Sequence, residues 1–124
     1  MPLLSWVYSF WLLYYIIGDK EFILEAGTRG TRSDLVLLNP SNQQLYCSLF
    51  KPISNNTDPL PCIIYLHGNC SSRLEILPLL KYGLSEGYCM VGFDFSGCGL
   101  SEGEYVTLGY KESQDLETVI KNLR

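Results

Sequence analysis

The chain of 124 residues holds one histidine, His67, which leaves a single imidazole for any acid–base role. Its five cysteines, Cys47, Cys62, Cys70, Cys89 and Cys98, include no Cys-x-x-Cys spacing, which argues against a zinc site; no other metal or cofactor is implied. No run of Lys or Arg occurs, and nine basic residues against thirteen acidic ones leave a net charge of −4, which argues against nucleic acid as the main partner. No apolar run reaches the ~20 residues that a membrane-crossing helix needs. No internal repeat is visible.

What is present fits one folded domain: 47% of residues are hydrophobic and only 18% charged, a balance that disordered chains lack. An odd number of cysteines in such a chain reads as reduced, mostly buried thiols in a cytoplasmic protein, with a disulfide or reactive thiol as the alternative. Leu3 to Ile17 is apolar apart from Ser5 and Ser9, and carries Trp6, Phe10, Trp11, Tyr14 and Tyr15. No basic residue precedes it and no small-residue cleavage pattern follows, so a secretory signal is weakly supported. Its aromatics suit packing against the domain or contact with a membrane interface. The chain divides into an apolar aromatic segment plus connector at 1–33, polar over Gly18–Gly30, and a folded part at 34–124.

Asp34 to Phe50 reads as a hairpin. Leu35–Leu38 is one strand, Asn39-Pro40-Ser41-Asn42 has turn chemistry, and Gln44–Phe50 is the second strand, with Leu45, Cys47 and Leu49 on one face. Lys51–Pro61, with three prolines, should be an exposed loop. Cys62–Leu66 is a continuous apolar run, the pattern of a strand buried on both faces. Ser72-x-x-Glu75 is a capping box, and Pro78 predicts a kink or late start in the helix that follows. Leu84–Gly87 closes this unit, and Tyr88–Phe95 is the next buried strand. Thr107 can cap a last helix, in which Leu116, Val119, Ile120 and Leu123 share a face and Glu117 pairs with Lys121. The order of a hairpin, then strand, helix, strand, helix predicts α/β architecture with a right-handed crossover.

The candidate chemistry lies in two loops. His67-Gly68-Asn69 follows one strand directly, where backbone N–H groups can face a developing oxyanion. Asp94-Phe95-Ser96-Gly97-Cys98-Gly99-Leu100-Ser101-Glu102-Gly103 follows the other. Together they resemble the front half of an α/β-hydrolase, most like the serine peptidase or esterase branch with a His-Gly-Asn turn. The resemblance covers about Asp34 to Arg124 and stops before the strand that would lead into the nucleophile elbow.

The resemblance implies that Asn69 gives an oxyanion N–H, that Gly68 shapes the turn, and that His67 holds the loop by hydrogen bonding and is not a base. Asp94, Gly97, Gly99 and Ser101 would order the second loop, with Asp94 accepting backbone N–H bonds and Ser101 bonding locally. Ser96 stands where this loop usually carries Arg, which removes a cation from any local salt bridge. Complete members attack an ester or amide carbonyl with serine. Here Gly99-Leu100-Ser101-Glu102-Gly103 matches Gly-x-Ser-x-Gly, but no helix follows at the spacing of an elbow. The only histidine lies upstream of this serine, against the Ser, acid, His order of the family. Cys70 and Cys98 also lack a base. A catalytic triad is therefore absent from this chain, and no hydrolysis is expected from it alone.

Two other readings stay open. Asp94-x-x-Gly97-x-Gly99 resembles a nucleotide- or S-adenosylmethionine-binding loop, although the third glycine would fall at Glu102 and no helix opens directly after it. A non-enzymatic module could bind a membrane or partner through residues 3–17. In the hydrolase topology the strand Cys62–Leu66 is central and pairs with a strand this chain lacks. Its edge should therefore be open and prone to self-association.

Overall fold

The computed structural model describes residues 21–24, 27–53, 59–69, 71–103 and 106–123. The aromatic segment 3–17 lies outside them, as does Cys70. Among the described residues five strands form one sheet in the order β1-β2-β3-β5-β4. They are β1 Glu21–Ile23, β2 Arg29–Leu38, β3 Gln44–Pro52, β4 Cys62–Tyr65 and β5 Cys89–Phe93. Neighbours pair antiparallel except β4 and β5, which run parallel. A seven-residue 3-10 segment, Arg73–Leu79, leads into the short helix α1, Leu80–Leu84, and α2 spans Tyr110–Leu123.

The hairpin forms as its turn residues dictate. Leu38 pairs with Gln44, and Asn42 takes a left-handed φ of 60° at the turn. The Asn39 side chain accepts the Gln43 N–H at 2.9 Å, an Asx-type closure. Two expected boundaries move. The polar connector Gly18–Gly30 contains β1 and the start of β2, because Phe22 inserts its ring beside Phe50, with centroids 6.1 Å apart. The loop expected over Lys51–Pro61 begins later, since β3 continues through Pro52.

The helical region behaves as Pro78 requires. Regular α-helix begins only at Leu80, after the proline has passed. Half of the capping box forms: the Ser72 hydroxyl accepts the Leu74 N–H at 3.4 Å, while the Glu75 carboxylate turns away to the His-Gly-Asn turn. Gly87, at φ 86°, then reverses the chain into β5.

Side chains pack on both faces of the sheet. Phe22, Phe50 and Met90 meet Ile76, Leu80 and Leu84 on one face. Leu45, Cys47, Val91, Phe93 and Phe95 meet Val119 of α2 on the other. Each such fully buried side chain contributes about 1.5–3 kcal/mol. β5 is buried along its whole length. β4 is not: the double-sided burial expected for Cys62–Leu66 is corrected by exposure at Cys62, Ile63 and Leu66. The reason is position, because among the described residues β4 pairs with β5 alone and forms the edge of the sheet.

Candidate functional site

The ends of β4 and β5 point the same way, so the loops after them meet. His67 joins them. Its ring is buried, and Nε2 accepts the Phe95 N–H at 3.1 Å. Nδ1 lies 2.7 Å from the Gly68 carbonyl oxygen, which can only accept. The imidazole is therefore neutral with its proton on Nδ1, and both nitrogens are engaged. Its ring also packs edge-on against Phe95, with centroids 5.0 Å apart. His67 thus ties the loop after β4 to the loop after β5.

Glu75 fixes the turn from the other side. Its carboxylate accepts the Gly68 N–H at 3.2 Å and the Tyr65 hydroxyl at 2.6 Å. Hydrogen bonds from the Ser71 and Tyr65 hydroxyls hold the Glu75 carboxyl below its ordinary pKa, while Tyr65 is raised, chiefly by its bond to Glu75. Gly68 has ordinary backbone geometry, and a Cβ there would meet only Glu75 oxygens, the nearer at 3.7 Å. The turn is shaped by His67 and Glu75 more than by the conformational freedom of glycine.

The second loop is built around Asp94, which is fully buried. One oxygen accepts the Arg73 N–H at 2.6 Å, and the other accepts Arg73 Nη1 at 2.6 Å and the Leu100 N–H at 3.0 Å. Arg73 is the cation paired with Asp94. The Arg73 Nε also donates to the Ser48 hydroxyl at 3.0 Å, and Ser48 in turn donates to Asp34 at 2.7 Å. Gly99 has φ 52°, and a Cβ on it would stand 2.5 Å from Asp94 Oδ2. Only glycine fits there.

Ser101 reaches further than a local contact. Its hydroxyl donates to the Asp94 carbonyl at 2.6 Å and accepts the Tyr46 N–H at 2.9 Å, tying the loop to β3. A buried hydroxyl so occupied is a structural group. The matching Gly-x-Ser-x-Gly letters do not form an elbow, since the next helix begins at Tyr110. The same spacing separates the glycines from any helix N-terminus that could hold a phosphate.

A cavity of about 150 Å³ opens between these loops and the start of α2, lined by His67, Gly68, Asn69, Phe95, Cys98, Val106, Leu108 and Glu112. Its apolar wall includes Leu108, held at φ 53°, a conformation bulky residues rarely adopt. Glu112 stabilises it. The carboxylate accepts N–H groups of Thr107 at 2.9 Å, Leu108 at 3.2 Å and Gly109 at 3.2 Å, plus the Thr107 hydroxyl at 2.6 Å. Burial opposes ionisation of Glu112, but these bonds outweigh it and bring its pKa down to about 2. Thr107 caps the helix as expected, accepting the Lys111 N–H at 2.7 Å.

Sequence reasoning missed Arg73, Glu112 and Asp115. Asp115 is buried on the apolar face of α2, where it accepts the Ser96 N–H at 2.8 Å and the Asn39 amide at 3.0 Å. An acid four residues before buried Val119 on one helix face was the available signal. Arg73 had none. The described cysteines Cys47, Cys62 and Cys89 are free thiols, and burial pushes the Cys47 thiol up to about 12. Among the described residues no group of three or more His, Cys, Asp or Glu could hold a metal, and no helix is long and apolar enough to cross a membrane.

No family model matches the chain. Solved structures do. An esterase of Pyrococcus furiosus is 32% identical with a TM-score of 0.64, covering 74% of this chain and 36% of its own. An α/β hydrolase of Penicillium, GrgF, superposes with a TM-score of 0.63 at 22% identity, over 74% of this chain and 32% of its own. An uncharacterised protein of Acanthamoeba polyphaga mimivirus is 36% identical over 76 residues, which is 57% of this chain and 26% of the mimivirus protein. The chain thus spans about a third of the length of the solved hydrolases it matches. It corresponds to part of an α/β-hydrolase fold, over about 74% of its length.

Proposed function

We propose that this chain carries the oxyanion side of a serine-type hydrolase acting on carboxylic esters or amides, and that it does not hydrolyse them alone. The observation that carries this reading is the His67-Gly68-Asn69 turn, pinned by His67 to Phe95 and by Glu75 at Gly68, on the wall of an apolar cavity. Serine attack on a carbonyl places negative charge on its oxygen, and the Asn69 backbone N–H is the donor that would face it. Phe95, Val106 and Leu108 suit a short acyl chain beside that oxygen. His67 cannot serve as the base while both its nitrogens hold the loops, and Ser101 is spent on Asp94 and Tyr46. The similarity to the Pyrococcus esterase supports the same reaction class.

Butyrate tests the site directly: its carboxylate stands in for the oxyanion and its chain for the acyl group. Shifts of the Asn69 and Leu108 amide resonances are expected on titration, and they should vanish in Val106→Trp, which fills the cavity. Absence of any shift at Asn69 sinks the oxyanion assignment. A fluorophosphonate probe should leave the chain unlabelled, and labelling at Ser101 would overturn the claim of inactivity.

A second reading, a non-enzymatic binding module, is favoured by the open edge of β4, where Ile63 and Leu66 are 39% and 46% exposed and no charge interrupts the strand. Strand edges of this kind pair with other chains. Light scattering during size exclusion would then show concentration-dependent assembly. Membrane contact through residues 3–17 is tested by liposome co-sedimentation with and without that segment.

A further inference from the structure

Leu108 stands in water on a strained backbone. Its φ of 53° is rare for a bulky residue, and it is 80% exposed. The conformation persists because the Glu112 carboxylate accepts the N–H groups of Thr107, Leu108 and Gly109 in succession. Strain that the surroundings over-determine in this way gathers at ligand clamps. Leu108 also lines the cavity that carries the His-Gly-Asn turn on its wall.

The rest of the apolar wall is rigid. Phe95 is buried and meets two rings edge-on, with centroids 5.0 Å from His67 and 4.8 Å from Phe93. Val106 packs against the cluster that contains Phe95. A ligand therefore meets surfaces already in place, and little ordering accompanies its binding. Glu112 lines the cavity too, but its carboxylate is occupied by its own turn, so nothing there calls for a cationic ligand. Size narrows the class further. At about 150 Å³ the cavity is small. Drug-sized ligands fill about 300–1,000 Å³. An apolar cavity of about this volume in another protein holds one benzene, roughly six carbons.

Resting on the oxyanion assignment above, we propose that Leu108 is the chain-length selector of this site, which accepts an aliphatic acyl group of up to about six carbons. A chain lying against Leu108 removes that side chain from water, so the gain grows with chain length until the cavity is full.

The test is titration of the full chain with acetate, butyrate, hexanoate and octanoate, followed at the Asn69 amide by NMR. Binding should tighten about threefold per added methylene as far as hexanoate, somewhat below the value for complete burial, and level off at octanoate. In Leu108→Gly each increment should fall below about twofold. Glycine adopts this φ readily, so the turn held by Glu112 is kept. Leu108→Asn, which also tolerates the left-handed region, should act alike. Leu100→Ala removes an exposed leucine outside the cavity and should retain the parent's increments. The selector role is overturned, with the oxyanion assignment intact, if Asn69 shifts but binding ignores chain length. The same holds if both Leu108 variants keep the parent's increments, or if Leu100→Ala loses them as well. If no acid shifts Asn69 in the parent, the oxyanion assignment fails and the selector role falls with it.

Discussion

Arg73 and Asp94 lock the first turn after β4 to the loop after β5: the carboxylate receives both the guanidinium and the backbone N–H of Arg73, each at 2.6 Å. The contact ties the start of the 3-10 segment to the end of β5, and so fixes the separation of the two loops that wall the cavity.

Breaking this pair should be costly. Asp94→Ala leaves a mostly buried guanidinium and two backbone N–H groups without their acceptor. Removing one partner of a buried ion pair costs about 3–5 kcal/mol. Urea unfolding should show a loss of this size, and a loss below about 1 kcal/mol would mean that water reaches the site freely.

Two glycines separate space from chemistry. Gly99→Ala combines a φ of 52° with a Cβ driven into the Asp94 carboxylate, and should destabilise by about 1–3 kcal/mol. Gly68→Ala meets neither obstacle and should fall within about 1 kcal/mol of the parent. Equal effects in thermal unfolding would contradict the geometry of both loops.

Acid should loosen the start of α2 in a defined window. The Glu112 pKa is depressed on folding from the ordinary value of 4.5 to about 2. Its contribution to stability is therefore fully present above about pH 4.5 and is lost as pH falls toward 2. In Glu112→Gln this part of the pH dependence should vanish. Stability curves of parent and variant that run parallel between pH 5 and 2 would remove Glu112 from the account.

A charge placed on the open edge should keep chains apart. Ile63→Lys puts an ammonium on β4, where Ile63 is already 39% exposed. The monomer fraction should rise in light scattering while stability changes little. An unchanged assembly state would locate any self-association elsewhere.

Local chemistry made much of this legible in advance. Asn39–Asn42 and the alternation of Leu45 and Cys47 revealed the hairpin, Pro78 displaced the helix, and Thr107 marked the last cap. The loop residues His67, Asp94, Gly99 and Ser101 stood out through the resemblance to α/β-hydrolases, not through local chemistry alone. What stayed hidden depended on distant partners. Phe22 builds a strand from a polar connector only because Phe50 lies beside it. Arg73 reaches Asp94 across 21 positions, and Asp115 reaches Asn39 across 76. The apolar run at β4 predicted burial that its place at the sheet edge does not provide.

The lone histidine has a practical corollary. Because His67 keeps its proton on Nδ1 and accepts the Phe95 N–H at Nε2, its ring is a built-in spectroscopic reporter. A nitrogen-15 spectrum of the chain contains one imidazole, with no assignment needed. Any event that parts the two loops, whether ligand entry, a variant or acid, should be visible as a change in that single pair of signals.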